Sequence, residues 1–118
     1  MNRKCLGEIV KDIRNNSQDS VIIVEGKRDK NALRNVGISC PSIIQVSYKN
    51  NNQIYNEVLS YNREKVILMY DNDRTGETKY FKLKRFFEGL GMNLLDYRRA
   101  LKNAGITYIE EIDDHLAH

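Results

Sequence analysis

Apolar and polar positions recur along this chain in two rhythms, and the changes of rhythm mark its elements. Leu6, Ile9, Val10 and Ile13 follow one another at steps of three and four, which predicts a helix over residues 3–14 with one apolar stripe. Polar residues from Asn15 to Ser20 break it. Val21-Ile22-Ile23-Val24 is a β-branched run with no polar position, the pattern of a strand buried on both faces. After Glu25-Gly26, Asp29 reads as the N-cap of a short helix with Ala32, Leu33 and Val36 inward and Gly37 as its stop. Ser42–Val46 reads as a second strand, just past Pro41, whose missing N–H suits a connection. The turn Asn50-Asn51-Asn52 opens a helix that carries Ile54, Val58 and Leu59 to about Tyr61. Lys65–Tyr70 is a third strand, apolar from Val66 onward. Thr75-Gly76 opens a longer helix with Tyr80, Leu83, Phe87 and Leu90 inward, ended by Gly89 and Gly91. Leu94–Asn103 reads as another short helix, Gly105 breaks it, and Ile106–Ile109 reads as the fourth strand.

Strands that alternate with helices and are apolar throughout predict an α/β fold. The expected architecture is three-layer α/β/α with a mostly parallel four-stranded sheet and right-handed crossovers. Strand order does not follow from the pattern. The 118 residues fit one domain, 1–118, with its core at about 20–112 and the helix 3–14 ahead of it.

The apolar runs are far shorter than the ~20 residues that span a bilayer, and the first residues lack the apolar stretch of a signal peptide. A cytoplasmic protein with no membrane partner is expected. Cys5 and Cys40 have no metal-binding spacing and read as small buried hydrophobes. Net charge is only +3, but its distribution is uneven. Between Arg74 and Lys102 stand eight Lys or Arg against three acids, and the tail turns acidic at Glu110, Glu111, Asp113 and Asp114. The basic stretch is suited either to solvent or to phosphate.

Candidate chemistry lies where the two most apolar strands end. In sheets of this kind, ligands bind beyond the carboxyl ends of the strands. One strand runs into Glu25 and the other into Asp71-Asn72-Asp73, so three acids should share one edge. In extended chain, Asp71 and Asp73 face the same way and Asn72 turns aside. Two carboxylates so close repel unless a cation or proton lies between them, and Mg²⁺ suits oxygen donors that leave it several waters. The same acids could instead cap the following helix. A calcium loop from Asp71 fails because its twelfth position is Lys82, where a bidentate Glu is needed. A dehalogenase-type Asp-x-Asp start would need more chain than follows Thr75. No Walker A or Gly-x-Gly-x-x-Gly loop is present. His115 and His118 sit in the acidic tail and receive no role.

Val24-Glu25-Gly26-Lys27-Arg28-Asp29 after one strand, with Tyr70-Asp71-Asn72-Asp73-Arg74-Thr75-Gly76-Glu77 after another, resembles the two signature motifs of the Toprim domain. The likeness spans about residues 20–112. It is greatest to small stand-alone Toprim proteins and to the Toprim half of the ribonuclease that matures 5S ribosomal RNA. The resemblance implies Mg²⁺, or Mn²⁺ in its place, and chemistry at a nucleic-acid phosphodiester, either RNA or DNA. By position, Glu25 matches the acid–base glutamate and Asp71 and Asp73 match the metal pair, with Glu25 a further ligand candidate. Gly26 and Gly76 match glycines that would allow close backbone approach, and Asp29 matches a further acid. Lys27, Arg28, Lys30 and Arg74 are cations placed to meet phosphate. Topoisomerase and primase activities do not carry over, because the parts they need are missing. The resemblance leaves two readings: a Mg²⁺-dependent nuclease or related phosphoryl-transfer protein, and a non-catalytic nucleic-acid or protein-binding module with a structural metal.

Overall fold

Parallel strands need crossovers long enough to carry a helix, and this chain supplies one after each of its first three strands. A computed structural model describes residues 5–38 and 41–116. In order, the elements are α1 (Leu6–Ser17), β1 (Ser20–Val24), α2 (Lys27–Asn35), β2 (Ile43–Gln45), α3 (Asn51–Ser60), β3 (Lys65–Met69), α4 (Arg74–Gly89), β4 (Asn93–Leu95), α5 (Arg98–Asn103) and α6 (Glu111–Leu116). The sheet is parallel throughout, in the order β2-β1-β3-β4. Ile22 pairs with Ile43 on one side and with Ile67 on the other.

The strands β1 and β3 are apolar at every interior position because both faces of the sheet are covered. Ile22, Val24, Ile67 and Met69 pack with Ile9, Ile13, Leu33 and Leu101 of α1, α2 and α5. Val21, Ile23, Val66 and Leu68 pack on the opposite face with Ile54, Val58, Leu83 and Phe87 of α3 and α4. The result is the expected three-layer α/β/α arrangement. From β1 the chain crosses to β2 on one side, then returns past β1 to β3 on the other. The reversal puts a topological switch point between the carboxyl ends of β1 and β3, the place where open α/β sheets bind ligands.

Four local expectations change. The fourth strand is Asn93–Leu95, inside the segment read as helix, and the helix there begins only at Arg98. Ile106–Ile109 is not a strand. Ile106 and Ile109 are buried three residues apart and plug the core at a turn, and Ile112 follows them on α6, which the pattern did not reveal. Each fully buried isoleucine contributes roughly 2 kcal/mol, so these three hold the C-terminal segment against α1 and α2. Leu59 and Leu90 are exposed rather than inward. Cys5 is exposed at the N-cap of α1, not buried, and Cys40 lies outside the described residues. No helix among the described residues is long and apolar enough to cross a membrane.

Candidate metal and phosphate site

Glu25 follows β1 directly and Asp71 follows β3 after Tyr70, and the register of the two strands, Val24 beside Met69, brings them to one edge. The turn after β3 is closed by its own groups. Asp73 is the N-cap of α4, and its Oδ1 accepts from the Gly76 N–H at 2.7 Å. Gly76 lies so close to the turn that a Cβ there would stand 2.2 Å from the Asp71 carbonyl oxygen. Only glycine lets the chain return so tightly on Asp71. The turn after β1 is looser. A Cβ at Gly26 would meet nothing nearer than Ser47 Oγ, at an ordinary 3.8 Å. The close-approach reason expected for both glycines therefore applies to Gly76 alone. Asp29 is not the N-cap of α2: Gly26 holds that position, and Asp29, at the third helical residue, accepts from the Gly26 N–H at 3.2 Å.

Asp71 receives a partner from the far end of the chain. The Ile109 N–H donates to its Oδ1 at 2.8 Å, and the Asn72 N–H donates to the Thr107 carbonyl at 2.6 Å. The segment read as a strand thus clamps the end of β3 without forming a ladder. Asn72 turns aside as expected, its amide donating to the carbonyls of Arg98 and Ile106 at 3.3 Å each. Glu25 is held by Lys79 of α4, Oε2 to Nζ 3.1 Å.

Five acids act on one another here. Burial and the charges of Glu25, Asp73 and Glu110 raise the Asp71 carboxyl above its ordinary range, against the opposing pull of the Ile109 N–H. Asp29 is pushed up to about 6, by burial first and then by Asp71, with Glu25 and Glu110 adding to it and the Gly26 N–H opposing. Crowded carboxylates of this kind favour a proton or a cation among them. Asp71, Asp73 and Glu25 each have one oxygen engaged by the chain and, among the described residues, one without a hydrogen-bond partner. These are hard donors that suit Mg²⁺. No set of three His, Cys, Asp or Glu among the described residues is already placed to grip an ion.

Sequence reasoning missed Lys79 and Glu110. Lys79 could have been found from its spacing, since Thr75, Lys79 and Lys82 share one helix face. Glu110 had no local signal, because only the clamp of Ile109 on Asp71 brings it near. Of the cations singled out, Lys27 and Lys30 lie on α2 and line a cleft beside this edge, while Arg74 opens α4 and lines a separate surface depression with Arg85. Arg28 is exposed.

Residues 19–96 match the family model of the Toprim domain. A UPF0292 protein of Thermococcus onnurineus is 36% identical over 97 residues, covering 81% of this chain and 71% of that protein. A UPF0292 protein of Pyrococcus abyssi is 33% identical over the same length and with the same coverage. A solved structure of a protein from Aquifex aeolicus is 35% identical and superposes with a TM-score of 0.82, over 92% of this chain and 98% of that one.

Proposed function

The chain belongs to the Toprim domain family, and from that premise we propose that it is a Mg²⁺-dependent nuclease or related phosphoryl-transfer protein acting on nucleic acid. One observation carries the reading: carboxylates from two strand ends lie at the switch point of the sheet, where burial first and then their mutual charge raise Asp71. Asp71 and Asp73 would hold the ion through their unengaged oxygens, with Glu25 opposite them. When bound, Mg²⁺ supplies charge stabilisation at a phosphate and a more acidic water.

The chain's own groups do the rest. The Ile109 and Gly76 N–H groups fix the orientation of Asp71 and Asp73 before any ligand arrives. Lys79 pairs with Glu25 in a half-buried position, from which its carboxylate can complete the shell or take a proton. The N-terminus of α4 directs its partial positive charge toward the same edge, where phosphate would lie.

Labelled structured RNA and single- and double-stranded DNA, incubated with Mg²⁺ or Mn²⁺, test the proposal. Cleavage by the wild type is expected, reduced at least about 100-fold in Asp71→Asn. That variant keeps an acceptor for the Ile109 N–H and should fold. No cleavage of any substrate, or equal cleavage by the variant, would refute it. A second reading, a non-catalytic binding module with a structural metal, has one observation in its favour. Each of the three carboxylates already satisfies a group of the fold itself: an amide, a helix cap or a lysine. Binding without cleavage, weakening steeply with salt, would select it.

A further inference from the structure

Beyond the acids, the loop between β2 and α3 presents an aromatic ring at a backbone cost. Tyr48 is fully exposed, at 105% of its reference surface, and its φ is +65°. The Lys49 N–H donates to the Val46 carbonyl at 2.9 Å, which makes residues 46–49 a β-turn with Tyr48 at its third position. Ser47 is not among the residues with positive φ, so the turn is of the type II class, where that position belongs to Gly or Asn. A tyrosine there is strained, and strain of this kind persists only where the surroundings fix it. They do so here. The Val46 N–H donates to the Val24 carbonyl at 3.0 Å, Ser47 Oγ donates to the Glu25 carbonyl at 2.6 Å, and Asn50 and Gln53 cap α3 reciprocally.

The ring stands between two clefts. One, of about 420 Å³, runs from Tyr48 past Lys82 and Lys79 to Glu25 at the acidic edge. The other, of about 570 Å³, lies on the far side of Tyr48 and is lined by Lys27, Lys30 and Lys49. Both fall in the usual size range of small-ligand sites, ~300–1,000 Å³. The carboxylates lining them are already neutralised, Glu25 by Lys79 at 3.1 Å and Glu57 by Lys49 at 2.7 Å. Among the described residues no carboxylate pairs with Lys27, Lys30 or Lys82. Both sides of the exposed ring are therefore positive.

We propose that Tyr48 is a base-stacking platform for a single-stranded nucleic acid, whose backbone runs over Lys27 and Lys30 on one side and Lys82 on the other toward Glu25. The proposal rests on the nucleic-acid reading above and names its substrate class. A ring carried on a fixed turn and standing clear of the surface stacks on an unpaired base, and basic flanks track the phosphates without reading sequence. A paired base offers the ring no face.

Fluorescence anisotropy with labelled dT₁₂ and rU₁₂, an abasic 12-mer and a 12-base-pair DNA duplex tests this. The variants are Tyr48→Phe and Tyr48→Gly. The glycine suits the turn, so Tyr48→Gly should unfold no earlier than wild type, and any loss of binding is then loss of the ring. Wild type should prefer the single strands to the duplex. Tyr48→Gly should bind them about 5- to 150-fold more weakly, as expected for one lost stack, with Tyr48→Phe close to wild type and the abasic strand indifferent to the substitution. Single-strand binding by Tyr48→Gly within twofold of wild type, or a preference for duplex, would overturn the platform and leave the nucleic-acid reading standing. Wild type that binds none of the probes would overturn both.

Discussion

The two acidic turns of this protein are similar in sequence and different in construction. Each takes a buried parallel strand past an acid into a helix with a glycine at its start, Gly26 as the N-cap of α2 and Gly76 in the first turn of α4. After β3, a Cβ at Gly76 would lie 2.2 Å from a backbone oxygen, Asp73 caps the helix directly, and Ile109 clamps Asp71 from 38 residues away. After β1, Gly26 has ordinary space, the helix is capped from its third residue, and among the described residues the Glu25 carboxylate is held only by the exposed Lys79. The turn after β3 is fixed by close backbone packing and by backbone amides on its carboxylates, and the turn after β1 leaves its carboxylate to a side chain. The difference suits a division of labour in which Asp71 and Asp73 keep fixed positions and Glu25 can adjust.

The largest effect should separate the glycines. Gly76→Ala must push apart backbone atoms that cannot yield, and it should lower stability by about 3 kcal/mol, the upper range for overpacking. Gly26→Ala should cost within about 1 kcal/mol, the scale of an altered N-cap. Urea unfolding midpoints decide this, and equal shifts would end the distinction between the turns.

Charge gives the next effect, in the opposite direction. Asp29 holds its proton more tightly in the folded chain, about 6 against 3.8. Its ionisation therefore works against folding, and its contribution to stability falls as pH rises from 3.8 to about 6. Asp29→Asn should raise stability at pH 7 by about 1–2 kcal/mol and hardly change it at pH 3.5. Parallel unfolding curves at the two pH values check it. A gain of equal size at both would assign the effect to packing and not to crowded charge.

The smallest effect concerns the cap. Asp73→Ala should cost about 1 kcal/mol, and Asp73→Ser should recover most of it, because serine also caps a helix N-terminus. Neither should bind Mn²⁺ as wild type does. Recovery of metal binding by the serine variant would remove Asp73 from the ion's shell.

Much of this was legible because it depends on local pattern. Val21–Val24 and Val66–Met69 carry no polar residue, and such runs have few homes other than a sheet covered on both faces. The acids at their ends were equally plain. Strand β4 was not, because an edge strand of three residues, only partly buried, leaves no apolar run to find. Ile106 and Ile109 misled in the other direction: a β-branched cluster looked like a strand, although its buried residues are three apart, a spacing that a strand would split between two faces. Helix spacing could place Lys79 on the right face, but its pairing with Glu25 across 54 positions and the approach of Glu110 to Asp71 across about 40 have no local signal. Tyr48 also gave no signal, since only its φ and its place between two clefts set it apart.

The central claim is that the carboxylates at the ends of β1 and β3 take a divalent cation. A crystal soaked in Mn²⁺ and measured at the manganese edge tests it most directly. An anomalous peak between Asp71 and Asp73, facing Glu25 and keeping several waters, is the predicted result. A map with no peak at this edge under saturating Mn²⁺, with all three carboxylates still on Ile109, Gly76 and Lys79, would contradict it.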